Sequence, residues 1–266
     1  VYVDEVQDRI YVGAHAGGMM VLHRKSGYIE YYNRHNSNLP SNNIYSIISD
    51  GYGGLWVASL EYLLHFDIDK RNFTIVDVDE DGHKLQQYNR LLFCDSKKRI
   101  WAGGEMGISV FNQVGTSLLP NTDFQIASVL KQAFVNCFYE TSSGYLWIGT
   151  RNGLFALKES DKQFLQYTTE NGLPSNVIYG ILEDAYGRLW ISTNQGLSCL
   201  NPESGKFRNF TIMDGLQGNQ FNAGAYCRKD NGYMLFGGVN GITSFRPETL
   251  IDNPYAPKPV INKLFV

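Results

Sequence analysis

The chain has 266 residues, with 23 Lys and Arg against 26 Asp and Glu, and a formal net charge of −3 at pH 7. This mild, dispersed charge lacks the basic stripe of nucleic-acid binders, so nucleic acid is not an expected partner. No apolar run reaches the ~18–20 residues of a membrane helix, so no membrane contact is expected within this segment.

The predicted elements repeat along the chain at a nearly fixed interval. The repeats share an aromatic or apolar anchor, with steps of 45, 45, 46, 43 and 45 residues between Tyr11, Trp56, Trp101, Trp147, Trp190 and Leu235. A period of ~40–50 residues in a strand-rich sequence is typical of a β-propeller, in which each repeat is one four-stranded blade. The sequence therefore predicts an all-β fold with six blades over residues 1–250.

The fifth repeat shows the blade pattern most clearly. Its four predicted strands cover residues 177–183, 189–192, 197–200 and 206–211. Turns separate them, because Asp184 can bond its own backbone while Gly187 and Gly196 accept a positive φ. The four Trp anchors are expected to pack between neighbouring blades, each burying ~150–250 Å², rather than to stack on a ligand.

The two ends of the chain favour an excised piece of a longer protein. Val1 is not preceded by a Met or a signal peptide, and residues 1–3 already have strand character. Residues 251–259 form a Pro-rich linker, and 260–266 alternate in hydrophobicity like the first strand of a following domain.

The four cysteines lie in apolar stretches without metal-ligand spacing: Cys94, Cys137, Cys199 and Cys227. They are predicted to be small buried side chains rather than a metal site, and a disulfide between adjacent blades stays open. Neither a metal nor a cofactor is expected.

Two runs carry a resemblance to a known family. Residues 171–179, NGLPSNVIY, and 184–197, DAYGRLWISTNQGL, resemble the repeat of the two-component regulator propeller family. Residues 214–222 and 236–242 resemble the closing blade of such an array, and the Pro-rich tail resembles the lead into the immunoglobulin-like domain that follows it. The resemblance implies that this chain is most of a seven-bladed propeller, with 260–266 beginning the immunoglobulin-like domain.

The resemblance also implies a function. The chain would belong to the periplasmic sensor region of a hybrid two-component system, of the type that Bacteroidetes use to control polysaccharide-utilisation genes. An oligosaccharide from glycan breakdown would bind a propeller face, with the neighbouring propeller often contributing. Binding would bias a homodimer, and the immunoglobulin-like domain would pass that bias across the membrane to a histidine kinase. The chain itself would not be an enzyme.

The candidate ligand-binding residues come from comparing the turns between the second and third strands, four to six positions after each anchor. The candidates share polar or aromatic side chains on an otherwise repeated turn: His15, Glu61, Tyr62, Glu105, Arg151, Asn152, Asn194, Gln195 and Asn240. Such side chains can hydrogen-bond sugar hydroxyls, and arginine adds bidentate bonding. Ordinary solvated turn residues are the alternative interpretation.

Two other functions stay open from the sequence. A glycan-cleaving propeller enzyme would need paired carboxylates, for which Glu61 and Glu105 are the candidates on neighbouring blades. No catalytic motif accompanies them, so no catalytic residue is assigned. A protein-binding scaffold would instead present a broad apolar patch rimmed by charge.

Overall fold

The computed structural model describes residues 1–59, 61–76, 89–121, 130, 133–161 and 163–250. The predicted linker at 251–259 and the predicted strand at 260–266 lie outside these residues. Within the described part, antiparallel strands and short 3-10 turns account for the regular structure. The all-β prediction is confirmed.

The strands follow one another in six meandering blades. Blade 1 contains β1 (Tyr2–Asp4), β2 (Arg9–Ala14), β3 (Gly18–His23) and β4 (Ile29–Tyr32). Blade 2 contains β5 (Ile44–Ser49), β6 (Leu55–Ser59), β7 (Leu63–Asp67) and β8 (Asn72–Ile75). Blade 3 contains β9 (Asn89–Cys94), β10 (Arg99–Gly104), β11 (Gly107–Val114) and β12 (Ser117–Pro120).

The other three blades repeat this arrangement. Blade 4 contains β13 (Val135–Glu140), β14 (Leu146–Thr150), β15 (Gly153–Lys158) and β16 (Gln163–Tyr167). Blade 5 contains β17 (Ile178–Glu183), β18 (Leu189–Thr193), β19 (Gly196–Asn201) and β20 (Lys206–Phe210). Blade 6 contains β21 (Phe221–Arg228), β22 (Met234–Gly238) and β23 (Gly241–Phe245). Five sheets thus have four strands, and the sixth has three within the described residues.

Short 3-10 turns join the later blades. They are η1 (Glu159–Asp161), η2 (Thr169–Asn171), η3 (Ile212–Asp214) and η4 (Pro247–Thr249). Residue 211, predicted as the last residue of a strand, instead caps η3, because the Thr211 side chain accepts a hydrogen bond from the backbone of Met213. A Ser or Thr hydroxyl at this position satisfies an otherwise unpaired N–H.

The aromatic anchors pack between blades, as the repeat predicts. All four Trp side chains and Tyr11 are almost fully buried. Each anchor faces the following blade: Trp147 packs with Ile178 and Leu189 of blade 5, and Trp190 packs with Phe221 of blade 6. Five hydrophobic clusters result, one at each boundary between successive blades.

The outer face of blade 1 is not covered by another blade in the described residues. Directly paired residues share a sheet face, and neighbours along a strand alternate. Since Tyr11 and Val21 face blade 2, the opposite face carries the remaining apolar residues. These form two cross-strand rows, Val3–Ile10–Leu22–Ile29 and Val12–Met20–Tyr31. Every one of them is at least partly exposed.

Blade 6 has a matching open face. Its anchor, Leu235, points away from blade 5 and pairs across the sheet with Cys227 and Ser244. The strand contacts that join successive blades have no comparable counterpart between blades 6 and 1 within the described residues. Leu235, which is smaller than Trp, thus stands at an anchor position on which no following blade packs within the described residues.

A recurrent Asn lies two positions before the first strand of blades 2, 5 and 6, and it holds adjacent blades together. The side-chain oxygens of Asn42, Asn176 and Asn219 accept backbone hydrogen bonds of 2.8–2.9 Å from residues seven or eight positions earlier. The carbonyl of Asn176 accepts a 2.7 Å bond from Gly153, whose φ of 113° suits glycine. These bonds fix the path of the chain between one blade and the next.

All four cysteines are free thiols. Cys137 and Cys199 are buried, as predicted, and Cys94 is half-buried. The prediction is wrong for Cys227, which is exposed because it lies on the open face of blade 6. Burial raises the pKa of the Cys137 thiol to about 12. No helix in the described part has the length and apolarity needed to cross a membrane.

Candidate functional site

The first strands of blades 2 to 5 each contain a β-bulge at their second residue. In blade 2, Ile44 pairs with Ser59 and Ser46 pairs with Ala58, so Tyr45 has no partner. The same register shift skips Arg90, Asn136 and Tyr179 in the next three blades. A bulge redirects a side chain and is common beside functional sites.

The bulged residues lie at the end of each blade that carries the predicted candidates. In blades 2, 4 and 5, the first residue of the first strand pairs with the last residue of the second strand. That last residue lies directly before the turn to the third strand. The bulges and these turns therefore share one face of the propeller, which we call the turn face.

Side chains from four blades meet on the turn face in one continuous cluster. His15 lies 6.4 Å from Tyr45 between ring centroids, and the Arg90 guanidinium lies 5.1 Å from the Tyr45 ring. The same guanidinium lies 5.8 Å from Phe134 and 2.5 Å from the Glu105 carboxylate. Arg151 lies 3.7 Å above Phe134. The turn-face cluster is defined as His15, Tyr45, Arg90, Glu105, Phe134 and Arg151.

The cluster offers more donors than it uses internally. Glu105 neutralises Arg90, whereas Arg151 makes no ion pair within the described residues. The Arg90 Nε is buried and has no hydrogen-bond partner among the described residues. Two cations against one carboxylate leave the cluster with a net charge of about +1 when His15 is neutral. Arginine forks beside aromatic rings suit a ligand with hydroxyl or anionic oxygens.

Three predicted candidates belong to the cluster: His15, Glu105 and Arg151. Of the neighbouring candidates in blade 2, Glu61 is exposed, while Tyr62 is half-buried and packs against the hydrophobic cluster between blades 1 and 2. Packing of this kind leaves less of the Tyr62 ring for stacking on a sugar.

The other predicted candidates engage in local turn contacts. The backbone N–H groups of Asn152 and Gln195 donate to Thr150 and Thr193 at 2.9 and 3.0 Å. The backbone N–H of Asn240 donates to Gln217 at 2.9 Å. The Asn194 side-chain oxygen is buried and has no hydrogen-bond partner in the part of the chain that the structure describes. Asn194, Gln195 and Asn240 lie on blades 5 and 6, away from the contacts that define the cluster.

Sequence comparison missed Tyr45, Arg90 and Phe134. They precede or occupy the first strand, whereas the candidates were taken from the turn after the second strand. The available signal was the second residue of the first strand, which differs between repeats as Tyr45, Arg90, Asn136 and Tyr179. Only the bulge, a feature of pairing register, shows that this position is redirected to the turn face.

Among the described residues, no group of three or more His, Cys, Asp or Glu side chains is placed to hold a metal ion. Glu105 binds an arginine rather than a second carboxylate, so the carboxylate pair that a glycosidase requires gains no support from this geometry.

Three stretches of the chain, 38–61, 130–152 and 172–195, match the family model described as two component regulator propeller. The histidine kinase P4 of Formosa agariphila is 29% identical over 206 residues, covering 74% of this chain and 15% of the relative. The resemblance to regulatory propeller repeats is confirmed, and the chain spans only a small part of that relative.

Solved structures share the fold. The extracellular domain of BT3049, a proposed hybrid two-component system from B. thetaiotaomicron, has a TM-score of 0.69 at 21% identity, covering 92% of this chain and 38% of the other. PorZ, a surface component of the type-IX secretion system of Porphyromonas gingivalis, has a TM-score of 0.71 at 15% identity, covering 91% and 38%. A streptogramin B lyase has a TM-score of 0.61 at 13% identity, covering 93% and 82%.

Proposed function

We propose that this chain, which carries two-component regulator propeller repeats, is a non-catalytic part of the extracytoplasmic sensor region of a hybrid two-component system. Its ligand is an oligosaccharide released by glycan breakdown, and the turn-face cluster binds it. The observation that carries this proposal is the convergence of four blades on one face, with redirected Tyr45 and Arg90 beside Arg151.

The repeat match and the histidine kinase relative support the signalling part of the proposal. In such a sensor the ligand must bind one arrangement of a homodimer more tightly than another, because only differential affinity shifts a conformational equilibrium. The neighbouring propeller and the immunoglobulin-like domain would then carry this shift to the membrane and the kinase. The location would be periplasmic.

The open faces of blades 1 and 6 support the expectation of a seven-bladed ring. Val12 and its neighbours on the outer face of blade 1 are apolar, which is unusual for a solvated sheet face. A further blade packed there would bury them. A longer piece of the parent polypeptide that supplies one more repeat should therefore melt at a higher temperature than this chain.

The experiment that tests ligand binding is a thermal-shift screen of the sensor region against defined oligosaccharides, with this chain in parallel. A ligand at 100 times its dissociation constant stabilises the native state by about 2.7 kcal/mol. The active glycan should be recovered chemically unchanged. If it is consumed, an enzyme is the better explanation. If no glycan in a broad panel shifts either sample, the sugar-sensor proposal fails.

A matched pair of variants locates the site. Arg151→Ala removes an exposed guanidinium that stacks on Phe134, and we expect affinity for the active glycan to fall about tenfold or more. Arg246→Ala removes an exposed guanidinium that lies 5.8 Å from the Tyr233 ring in blade 6, outside the cluster. Equal loss of affinity in both variants would place the site elsewhere.

A further inference from the structure

A polar cavity of about 190 Å³ lies between blades 1 and 2, away from the turn face. Arg9 and Tyr11 of β2 line it, and Phe66 and Ile68 close the side formed by blade 2. The Arg9 Nε and the Tyr11 hydroxyl are both buried without a hydrogen-bond partner in the described residues, and Tyr11 is only 1% exposed. Burial raises the pKa of Tyr11, an effect that the polar contact of its hydroxyl oxygen with the Arg9 side chain and then the Arg9 charge partly offset, and this contact leaves the hydroxyl proton without an acceptor among the described residues.

In blades 3 and 5, the residues equivalent to Arg9 and Tyr11 share a carboxylate as their hydrogen-bond acceptor. In blade 3 the Asp95 Oδ2 accepts hydrogen bonds from the Arg99 Nε at 2.6 Å and the Trp101 Nε1 at 2.8 Å. In blade 5 the Asp184 Oδ2 accepts equivalent bonds of 2.7 and 2.9 Å from Arg188 and Trp190. In both blades an arginine two positions before the anchor and the anchor itself converge on one carboxylate oxygen.

Blade 1 contains the donors without the carboxylate, because its first turn is one residue longer. Asp95 and Arg99 are four positions apart, whereas Asp4 pairs across the turn with Arg9, five positions away. The residue directly before the arginine has a positive φ in both turns, 54° at Asp8 and 62° at Lys98, so the extra residue lies earlier in the blade 1 turn. Asp4 Oδ1 accepts the backbone N–H groups of Val6 and Gln7, and no carboxylate in the described residues lies within ion-pair distance of Arg9.

The second carboxylate of the blade 3 arrangement is also missing. In blade 4, Leu157 is the cross-strand partner of Leu146, and Glu159 follows it by two positions. The Glu159 carboxylate lies 2.6 Å from the Arg99 guanidinium. In blade 2, Phe66 is the cross-strand partner of Leu55, and the residue that follows it by two positions is Ile68. Arg9 therefore faces an apolar side chain where Arg99 faces a second acid.

The remaining charges around the cavity are Glu30, Asp69, Arg71 and the nearby Asp4. Glu30 is already engaged, since it accepts from Tyr32 at 2.7 Å, bonds His23 at 2.8 Å and lies 3.5 Å from Arg71. Arg9 is half-buried with a fully buried Nε, and within the described residues it has no counter-ion.

We propose that this cavity binds the carboxylate of a small hydroxylated acid, with Arg9 and Tyr11 donating to it as Arg99 and Trp101 donate to Asp95. An adjoining cleft of about 440 Å³ shares Glu30, Tyr32 and Arg71 with the cavity. It adds the exposed rings of Tyr28 and Tyr31 and the polar side chains of Asn36 and Ser37. This volume and mixture of rings and polar groups suit the remainder of a sugar-sized acid. The site is independent of the turn-face cluster, so either proposal can fail alone.

The test compares D-glucuronate with D-glucose by titration calorimetry on this chain at matched ionic strength. We expect glucuronate to bind and glucose to bind at least about tenfold more weakly, because only the acid can replace the missing carboxylate. Arg9→Met should weaken glucuronate binding by about tenfold or more, and Tyr11→Phe by a smaller factor. Arg24→Met, an exposed arginine of the same blade paired with Glu5, should bind as the original chain does.

A turn repair tests the same proposal without removing either donor. Deleting Asp8 and changing Gln7→Gly gives the turn Asp-Glu-Val-Gly-Arg, the spacing of residues 184–188. We expect the Asp4 carboxylate to reach the donors, abolishing glucuronate binding and raising the melting temperature of the free chain. Equal binding of glucuronate and glucose, no binding of either, or glucuronate binding by the repaired chain would each overturn the proposal.

Discussion

Blades 1 and 3 place an arginine and an aromatic anchor at the same positions of the second strand, yet their surroundings differ. In blade 3, Asp95 joins Arg99, Trp101 and two backbone N–H groups in one buried network, and Glu159 of the next blade extends it. In blade 1 the longer turn withdraws Asp4 from Arg9 and Tyr11. One inserted residue thus converts a structural network into a cavity with unused donors.

The same two blades also differ in what covers them. Blade 3 has a neighbour on both faces, so it contributes to two hydrophobic clusters. Blade 1 contributes to one cluster and leaves its other apolar face uncovered in the described residues. Equivalent substitutions should therefore have unequal effects in the two blades, and this difference can be measured.

The largest expected difference is between the two turn aspartates. Asp95→Ala removes the acceptor of the Trp101 indole N–H and of two backbone N–H groups, and it leaves Glu159 as the carboxylate partner of the half-buried Arg99. We expect a loss of at least about 3 kcal/mol in the free energy of unfolding. Asp4→Ala removes two backbone hydrogen bonds at an exposed turn and should cost about 1 kcal/mol. Denaturant unfolding of both variants gives the comparison. Similar losses would mean that Asp4 already neutralises Arg9.

The aromatic anchors should differ next. Trp101→Phe removes an N–H that donates to a carboxylate, and we expect it to cost at least about 1.5–3 kcal/mol. Tyr11→Phe removes a buried hydroxyl whose proton has no acceptor among the described residues, so the stability of the free chain should stay the same or rise. Thermal melts without ligand distinguish these outcomes. A clear loss for Tyr11→Phe would show that the hydroxyl is paired in solution.

The faces of the blades give a third contrast. Val57 and Val12 both follow their anchors by one position, but Val57 is fully buried whereas Val12 lies on the open face of blade 1. Val57→Thr buries an unpaired hydroxyl and should cost about 1–3 kcal/mol. Val12→Thr should change the stability of this chain by less than about 0.5 kcal/mol. In a longer polypeptide with a further blade, we expect the cost of Val12→Thr to approach that of Val57→Thr.

The smallest contrast concerns acid stability. Burial acts to raise the pKa of Glu159, but hydrogen bonds from Arg99 and Lys97 outweigh it and hold the pKa below its ordinary value of 4.5. Its stabilising effect is therefore full above pH 4.5 and is lost as the pH falls through the lower pKa of the folded state. Glu159→Gln should reduce the loss of stability below that pH. Unfolding curves measured from neutral to acidic pH test this, and parallel curves for both chains would contradict it.

Much of the fold follows from local sequence. The anchors at Trp56, Trp101, Trp147 and Trp190 fix the repeat, and glycines such as Gly196 fix the turns, because both depend on residue type and spacing alone. The strands of blade 5 agree with their predicted bounds to within one residue at most ends. His15, Glu105 and Arg151 could be selected because they vary on a repeated turn.

Tertiary structure alone determined the rest. Tyr45 and Arg90 join the turn face because of a bulge, and a bulge depends on which residues of two strands pair. Arg9 and Arg99 occupy equivalent positions in sequence, but whether a carboxylate reaches them depends on the path of the turn in space. The repeat depends on residue types at a fixed spacing, whereas the pairing register and the path of each turn decide which side chains meet.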